Sequence, residues 1–484
     1  MGAYEAVIGM EVHSELLTQS KMFCGCRSAF GGEPNTRCCP VCTGMPGSLP
    51  VMNRAAVEHV IRAAIALNCT INPIARFDRK NYYYPDLPKG YQISEYDSPI
   101  GVNGWLDIET ADGPLRVNIR RVHLEEDTGK LFHLAGNESA VDYNRSGVPL
   151  MEIVTEFPPD MHTADQARAY LVKLRSILTY IGVSDGKMEE GSLRCEPNLS
   201  VRPFGSAAYG TKTEIKNLTS FRSVPRGVDY EIRRQSALLD RGDRVGHETR
   251  GWNEAKGETF SQRSKEMEQE YRYFPEPDLV PLRIDEAWVA RIRVTMPELP
   301  DVACARFQTD YGLPAYDAGI LTQSRETAAY FEEAARACGD AKSVANWIMG
   351  DFARLLNLGG IEIGQSRVRP DALASLISLM ARGEVSGKMA KSIFESMFAT
   401  GEDPAIIART EGPQISDTGA LSLLIDAAIS EQPQVWRSIC DGDERKLPFL
   451  IGQVMKASRG KANPQEANRL LRVRLARDTG SDTQ

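Results

Sequence analysis

The ten cysteines of this chain are unevenly distributed: five lie between residues 24 and 42, and the other five are scattered singly. Four of the clustered cysteines form two closely spaced pairs, Cys24 with Cys26 and Cys39 with Cys42. Two such pairs, each on a tight turn, can bring four thiolates around one tetrahedral ion and leave no open coordination position. Cys38 is a poor further ligand because it directly precedes Cys39. The pattern therefore predicts a structural zinc (Zn²⁺) site near the N-terminus.

Length and charge limit the classes of protein that the chain can represent. Its 484 residues exceed a single compact core, so two or three domains are expected. A net charge of −8 excludes a protein that coats nucleic acid over its whole surface and leaves local basic patches as the alternative. No apolar run approaches the roughly 20 residues that cross a membrane, and the N-terminus lacks a signal-peptide pattern. We expect a cytoplasmic protein with no membrane partner.

Two kinds of sequence pattern divide the chain. Up to about residue 294, short β-type runs accompany two helical patterns, at residues 53–67 and 163–181, without the regular rhythm of a parallel α/β protein. Beyond this point the patterns are almost entirely helical, and breaks rich in proline and glycine lie near residues 297–300 and 401–413. The predicted fold class is an α+β N-terminal domain, then an all-α helical domain and a small all-α C-terminal domain. The predicted bounds are 1–294, 295–408 and 409–478, with a disordered tail at 479–484.

Three acidic segments could bind a divalent cation. Residues two apart on a strand share a face, so Glu11 and His13 would point the same way, although an exposed Glu–His pair would give the same pattern. Glu152 interrupts an apolar strand, where a carboxylate is costly unless it is paired or binds a metal. The run from His123 to Asp127 is the third segment, and a solvated turn is its alternative interpretation. Carboxylates with one imidazole suit magnesium or manganese used with a phosphate substrate.

Basic residues and tyrosines form two further patterns. In the segment 78–86, an arginine and a lysine precede three tyrosines that begin at Tyr82, and these could stack nucleotide bases or form ordinary sheet surface. On a strand, Lys212, Glu214 and Lys216 would share a face, and this stripe could clamp phosphate or be solvated. The chain contains neither a P-loop nor a dinucleotide-binding glycine motif, which excludes both of those nucleotide sites.

The C-terminal region is strongly basic within an acidic chain. Residues 445–477 contain nine lysines and arginines and a single acid, Glu466. A local excess of this kind is typical of a surface that contacts nucleic acid, and a solvated helix is the alternative interpretation. The basic residues include Lys456, Arg459 and Lys461, which are therefore candidate nucleic-acid contacts.

Taken together, these segments resemble the GatB family, the B subunits of bacterial aspartyl/glutamyl-tRNA amidotransferases. The resemblance extends over nearly the whole chain, and its long ordered motifs are more specific than any single pattern above. The motifs are Ile8-Gly-Met-Glu-Val-His13, Cys39-Pro-Val-Cys42, Arg79 to Ser94, His123 to Asp127, Glu189 to Arg194, Tyr271 to Asp278, Gly312 to Asp317 and Gly452 to Ser458.

The resemblance implies an architecture and a reaction. The N-terminal domain would be a cradle related to glutamine synthetase, followed by a helical domain and a small tail domain that binds tRNA. The side-chain carboxyl of Glu-tRNA(Gln) or Asp-tRNA(Asn) would be phosphorylated by ATP with Mg²⁺. Ammonia released from glutamine by the glutaminase (A) subunit would then displace the phosphate, and the C subunit would hold the other two together. The resemblance thus implies an ATP-dependent carbon–nitrogen ligase.

The resemblance also implies roles for individual residues. The catalytic and magnesium-binding residues would be Glu11, His13, Glu126 and Glu152, with Glu125 as the neighbouring possibility because strand alternation does not decide which acid faces inward. The nucleotide side would comprise Ser192, Arg194, Lys212, Glu214 and Lys216. The tRNA contacts would include Tyr82, Lys456, Arg459 and Lys461. Zinc at Cys24, Cys26, Cys39 and Cys42 would shape the cradle without entering the chemistry.

Two other functions compete with this interpretation. A non-catalytic tRNA-binding scaffold would use the basic tail but would not need Glu152 on an apolar strand or Glu11 beside His13. A ligase that acts on a free amino acid would use these acids but would not need the basic C-terminal region or the tyrosines. The acidic residues therefore favour catalysis over a scaffold, and the basic region favours a tRNA substrate over a free amino acid.

Overall fold

A computed structural model describes residues 3–134, 136, 138–264, 271–411, 417–458 and 461–479 of the chain. The chain divides into two compact units, Met1–Leu299 and Pro300–Gln484. The division falls at Pro300, the last residue of the first break that the sequence predicts. None of the described helices combines the length and the apolar character needed to cross a membrane.

The first unit is organised around a large and mostly antiparallel sheet. The described strands are β1 (Tyr4–Glu15), β2 (Thr70–Ile71), β3 (Ile74–Asn81), β4 (Tyr91–Ser98), β5 (Gly101–Thr110), β6 (Gly113–Glu126), β7 (Lys130–His133), β8 (Ser139–Asp142), β9 (Pro149–Thr155), β10 (Leu193–Pro203), β11 (Thr213–Lys216), β12 (Glu248–Asn253), β13 (Glu258–Ser264), β14 (Phe274–Pro275) and β15 (Leu282–Arg283). The main path across the sheet is β13-β12-β11-β10-β1-β9-β6-β4-β3-β14. β5 pairs with β6 and β2, β15 pairs with β3, and β7 and β8 form a separate hairpin.

Helices cover one face of this sheet. They are α1 (Arg54–Ala66), α2 (Ala164–Tyr180), α3 (Ser223–Asp240) and α4 (Glu286–Val294). The first two confirm the helical patterns predicted from the sequence. Asn53 accepts hydrogen bonds from two backbone N–H groups at the start of α1. Thr163 and Gln166 form a reciprocal capping box at the start of α2, so local side chains set where both helices begin.

The alternation of side chains along β1 explains why one face of the sheet is apolar and the other polar. Ile8, Met10 and Val12 are buried in the core that the sheet shares with the helices. Residues two apart on a strand point to the same face, so Glu11 and His13 project from the opposite side. The apolar residues therefore fix β1 in the sheet and direct its acid and imidazole away from the helices.

The second unit is helical. Its helices are α5 (Pro300–Tyr311), α6 (Ala315–Leu321), α7 (Arg325–Cys338), α8 (Ala341–Trp347), α9 (Ala353–Gly359), α10 (Pro370–Ala381), α11 (Gly387–Thr400), α12 (Pro404–Glu411), α13 (Thr418–Glu431), α14 (Pro433–Cys440), α15 (Leu447–Ala457) and α16 (Pro464–Asp478). A π-helical segment, Ile348–Phe352, joins α8 to α9. The N-terminal sheet unit and the helical part that follows it confirm the coarse fold class predicted from the sequence.

Two hydrophobic clusters lie within the helical unit. One draws its buried residues from Phe307 to Ile407, and the other from Leu421 to Leu471. The predicted boundary between residues 408 and 409 falls inside α12. Ile407, in the same helix, is the last buried residue of the first cluster. Of the predicted tail 479–484, Thr479 caps α16 and the remaining residues lie outside the described part of the chain.

Candidate functional site

A polar cavity of 1490 Å³ opens on the face of the sheet that the helices leave uncovered. Its lining residues come from strands across the whole sheet, from β3 and β4 on one side to β12 and β13 on the other. Glu11 and His13 lie on the central strand β1, and Glu152 lies on its neighbour β9. The cavity therefore brings together side chains that are far apart in sequence.

The first acidic cluster consists of His13, Glu125 and Glu152. Strand register places His13 directly opposite Glu152, and Glu152 directly opposite His123 of β6. The His13 Nε2 atom lies 3.6 Å from a carboxylate oxygen of Glu125 and 3.6 Å from one of Glu152. One ligand atom from each of the three residues lies within 4.8 Å of the others, close enough to hold one cation.

The buried imidazole of His123 controls the charge of this cluster. Its Nε2 lies 3.0 Å from Glu152 Oε2. Burial disfavours the protonated ring, but the carboxylates of Glu152 and Glu125 together outweigh burial and raise the pKa of His123 to about 9. Burial likewise opposes ionisation of Glu152, yet His123 and His13 hold the pKa of Glu152 well below its ordinary value. The cluster thus carries its negative charge near neutral pH.

One oxygen of this cluster has no hydrogen-bond partner among the described residues. It is Oε2 of Glu125, which is almost completely buried. Buried polar atoms normally have a partner, and a bound ion is one explanation for an exception. The donor set of two carboxylates and one imidazole fits a divalent cation that prefers oxygen ligands.

Glu126, which the resemblance places at this site together with Glu125 as the alternative, lies away from the first acidic cluster. The Glu126 carboxylate forms a short ion pair with Lys89 and accepts the backbone N–H of Ile93 at 3.0 Å. It lines a different cavity, of 220 Å³, next to the cysteine segment. Glu125 faces His13 and Glu152 instead, because successive residues on a strand point to opposite faces.

The second acidic cluster consists of Glu11, Glu196 and Glu214. Register pairs Glu11 of β1 with Glu196 of β10, and Glu214 lies on the next strand, β11. Lys216 Nζ lies 2.6 Å from Glu196 and 3.0 Å from Glu214, which partly neutralises the cluster. Burial, and then repulsion by the surrounding carboxylates, raises the pKa of Glu11. A cation bound here would relieve that repulsion.

The predicted nucleotide-side residues do not all reach the polar cavity. Arg194, Lys212, Glu214 and Lys216 line it. Ser192 lines a separate cavity of 620 Å³, where its hydroxyl contacts Asp185 and donates to the Lys187 carbonyl at 3.0 Å. Tyr82, predicted to contact tRNA, lies in the polar cavity on the β3 side. The β10–β11 side of the cavity thus contributes these charged side chains, and the β3 side contributes Tyr82.

The four predicted cysteines converge. One sulfur atom from each of Cys24, Cys26, Cys39 and Cys42 lies within 4.8 Å of the others. Cys38 is not part of this group, and its sulfur lies 3.1 Å from the Asn35 carbonyl. The fully buried ammonium of Lys21 lies 3.6 Å from Cys42 Sγ. Hydrogen bonding from Cys24 lowers the pKa of the Cys42 thiol to about 4, so this sulfur favours the thiolate that binds metals.

Comparison with known proteins identifies the family of the chain. Residues 6–290 match the family model described as the GatB/GatE catalytic domain, and residues 329–475 match the model described as the GatB domain. The chain belongs to the GatB family. The catalytic-domain match contains both acidic clusters and the four cysteines, so these features lie in the part of the family that is named for catalysis.

Three similar members of the family cover almost the whole chain. Each is named as the B subunit of an aspartyl/glutamyl-tRNA(Asn/Gln) amidotransferase. The protein from Moorella thermoacetica is 56% identical over 98% of this chain, that from Caldanaerobacter subterraneus subsp. tengcongensis is 53% identical over 98%, and that from Carboxydothermus hydrogenoformans is 51% identical over 99%. Each match spans 100% of the relative, so the likeness is not confined to one domain.

Among the cavity residues that are not sequence-predicted site residues, three belong to the two acidic clusters or neighbour them. They are His123, Glu196 and Lys80. The neighbouring Glu125 carboxylate raises the pKa of Lys80, although burial acts in the opposite direction. His123 and Lys80 lie inside motifs that the sequence singles out, but the sequence patterns gave neither residue a role. Glu196 follows Arg194 by two positions on β10 and therefore shares its face, which strand alternation alone indicates.

The basic C-terminal region is less positive in the structure than in the sequence count. Arg469, Arg472 and Arg474 each form an ion pair with an acid, at 2.6, 3.1 and 3.3 Å respectively. Two of these acids, Glu444 and Asp478, lie just outside residues 445–477, so the count of charges in that region did not include them. Lys456 is exposed on α15, Lys461 is half-buried, and Arg459 lies outside the described residues.

The buried pair of Lys89 and Glu126 gives a stability prediction. Replacing Lys89 with methionine should lower the free energy of unfolding of the first unit by about 3 kcal/mol, because Glu126 is left charged, buried and unpaired. Urea unfolding followed by circular dichroism measures this change. The matched control is Arg116→Met, which removes an exposed pair with Asp107 and should cost less than about 1 kcal/mol. Equal losses for both variants would contradict the buried-charge argument.

Proposed function

We propose that this chain activates the side-chain carboxyl of Glu-tRNA(Gln), Asp-tRNA(Asn) or both for amidation, as part of a glutamine-dependent amidotransferase. The observation that carries the proposal is the pair of acidic clusters on neighbouring strands of one polar cavity. A tRNA-binding scaffold without catalysis would have no use for five carboxylates gathered on one sheet face. The names of the relatives supply the substrate class and the type of reaction.

The reaction must first make the carboxyl group reactive, because a carboxylate does not exchange its oxygen for ammonia. Transfer of the γ-phosphoryl group of ATP to a carboxylate oxygen forms an acyl phosphate and ADP. Ammonia then attacks the acyl carbon, a carbon–nitrogen bond forms, and inorganic phosphate leaves with its electron pair. The protein contributes mainly by holding the two substrates in line and by stabilising the phosphoryl charge.

The residues of the cavity suit these tasks. The first acidic cluster (His13, Glu125, Glu152) and the second (Glu11, Glu196, Glu214) would each hold Mg²⁺, which supplies neutralisation of phosphate charge when bound. Lys212 and Lys216 would hold phosphate oxygens, and the Lys216 ammonium is already placed by the second cluster. His123 would orient Glu152 through its 3.0 Å contact.

The remaining parts of the chain would serve assembly and substrate binding. We infer that its partners are the A and C subunits and that the A subunit supplies ammonia, since the relatives are named as the B subunit of such an enzyme. The small C-terminal cluster around Leu421 and Leu471 would form the tRNA-binding tail domain, with Lys456, Arg459 and Lys461 as contacts. The four cysteines would bind one structural Zn²⁺, because four sulfur ligands leave no position for substrate.

Glu152 provides the direct test of the catalytic proposal. In the assembled enzyme, Glu152→Gln should lower ATP-dependent amidation of the mischarged tRNA by roughly 100-fold or more, because one charged ligand of the first cluster is lost. Glutamine hydrolysis by the glutaminase partner should persist. Glu109→Gln, at an exposed acid of β5, is the control and should amidate normally. Full amidation by the Glu152 variant would exclude this residue from the site.

Metal analysis tests the cysteine site separately. The purified chain should contain about one zinc ion, and Cys39→Ser or Cys42→Ser should remove it, because each cysteine supplies one of four ligands. Cys38→Ser should retain the metal, since the Cys38 sulfur is turned towards Asn35. Zinc loss from the Cys38 variant but not from the other two would overturn the assignment of ligands.

Removal of the C-terminal helices tests the tail. Deleting residues 412–484, which leaves α12 intact, should weaken binding of tRNA by roughly tenfold at moderate salt, because basic contacts are lost. The circular dichroism of the sheet unit should be retained. Within the full chain, Lys456→Glu should weaken tRNA binding more than Lys388→Glu, a change at an exposed lysine of α11. Unchanged tRNA affinity in the deletion variant would refute a binding role for this region.

A further inference from the structure

A lysine is buried beside the four-cysteine cluster. Lys21 has no exposed surface, and its ammonium lies 3.6 Å from Cys42 Sγ and 3.2 Å from the Tyr143 carbonyl. Among the described residues, no carboxylate forms an ion pair with Lys21. A buried ammonium is costly unless an anion compensates its charge. Of the two groups that Lys21 contacts, only the sulfur of Cys42 can carry the negative charge that compensates it.

The carboxylate of Glu126 lies on the same side of the cluster but already has a partner. A Cβ atom at Gly147 would lie 3.7 Å from Lys21 Cδ and 3.8 Å from Glu126 Oε2, so both side chains border the same point. The Glu126 carboxylate, however, forms its ion pair with Lys89. The two lysines therefore have separate anions: Glu126 for Lys89, and the cysteine cluster for Lys21.

A bound metal would give the cysteine cluster the charge that this lysine requires. Four thiolates outweigh the charge of one Zn²⁺ ion, so the loaded centre is an anion. Cys24, Cys26 and Cys39 are partly exposed, whereas Cys42 is buried. Water can stabilise the negative charge on the first three sulfurs but has little access to the fourth. The ammonium of Lys21 thus does at Cys42 what water does at the other sulfurs.

Hydrogen bonds outside the cluster hold the lysine and its sulfur partner in place. Ser146 Oγ donates to the Cys42 carbonyl at 2.9 Å. The N–H of Met22, the residue after the lysine, donates to the Gly147 carbonyl at 2.7 Å. Neither bond involves a sulfur atom, so this arrangement fixes the ammonium at Cys42 independently of metal binding. A charge that is already in position loses little conformational freedom when the metal arrives.

We propose that Lys21 is a positioning residue of the zinc site, which neutralises the buried Cys42 thiolate and thereby raises the affinity for the metal. This inference rests on the proposed Zn²⁺ site and adds to it a residue outside the four ligands. Lys21 acts through the sulfur and does not bind the ion itself, because an ammonium has no lone pair to offer. Removal of a group that hydrogen-bonds a metal ligand typically weakens metal binding by roughly 10- to 100-fold.

Competition between the full-length chain and a zinc chelator tests this role. Lys21→Met removes the charge with little change of volume and should weaken Zn²⁺ binding by roughly 10- to 100-fold. Lys21→Arg keeps a cation at this position and should retain more of the affinity than the methionine variant. The matched control is Arg27→Met, which removes an exposed cation next to Cys26. It should change the affinity by no more than about twofold, because water and salt screen an exposed charge.

Unfolding measurements with and without zinc separate charge compensation from simple packing. Lys21→Met should lower the urea midpoint of the zinc-loaded chain more than that of the metal-free chain, because most of the thiols regain protons when the metal leaves. The absorption spectrum of the Co²⁺-loaded variant should still show four thiolate ligands. These measurements detect the effect without any assay of amidation.

The possible outcomes are distinct. Equal losses of stability in the zinc-loaded and metal-free states would show that Lys21 only fills space, and would overturn the proposal. Unchanged zinc affinity in Lys21→Met, or an equal loss in Arg27→Met, would also overturn it. Failure of the unaltered chain to bind zinc would refute the metal site itself, and the proposal with it, while the amidation test at Glu152 would be unaffected.

Discussion

Repulsion between carboxylates on one face of the sheet is the constraint on which the rest of the site depends. The two acidic clusters of the cavity contain five glutamates from adjacent strands, and they are Glu11, Glu125, Glu152, Glu196 and Glu214. Like charges this close disfavour ionisation unless cations stand among them. The protein supplies part of this compensation through His123 and Lys216. A divalent cation bound between the clusters would supply the remainder, and through it the cavity would attract phosphate.

The choice between Glu125 and Glu126 shows where sequence reasoning on a strand fails. Simple alternation from the core residues Val117 and Ile119 would direct Glu125 to the core and Glu126 to the cavity. The register between β6 and β9 shifts by one residue between Ile119 and Arg121, so Val122 and Leu124 face the core instead. A bulge of this kind reverses the side-chain parity of all later residues. Nothing in the local sequence marks it, because it depends on pairing with β9.

Features set by local sequence were predictable, whereas features set by strand pairing were not. The cysteine cluster follows from two short turns, and the starts of α1 and α2 follow from Asn53 and Thr163. The contact of His13 with Glu152 joins strands that are more than one hundred residues apart, and spacing along the chain carries no information about it. Alternation along β10 indicates that Glu196 shares the face of Arg194, but its position opposite Glu11 depends on the pairing of β1 with β10.

The sequence pattern correctly places Glu11 and His13 on one face of β1, yet the two residues belong to different clusters. β1 is therefore the strand that both donor sets share. Residues two apart on an extended strand have Cα atoms about 6.6 Å apart, and this distance is fixed by backbone geometry. The clusters are thus held at a set separation by a central strand of the sheet, buried through Met10 and Val12, and not by a loop. A reaction that must align a phosphoryl donor with a carboxyl acceptor benefits from this rigidity, because small errors of position are costly in rate.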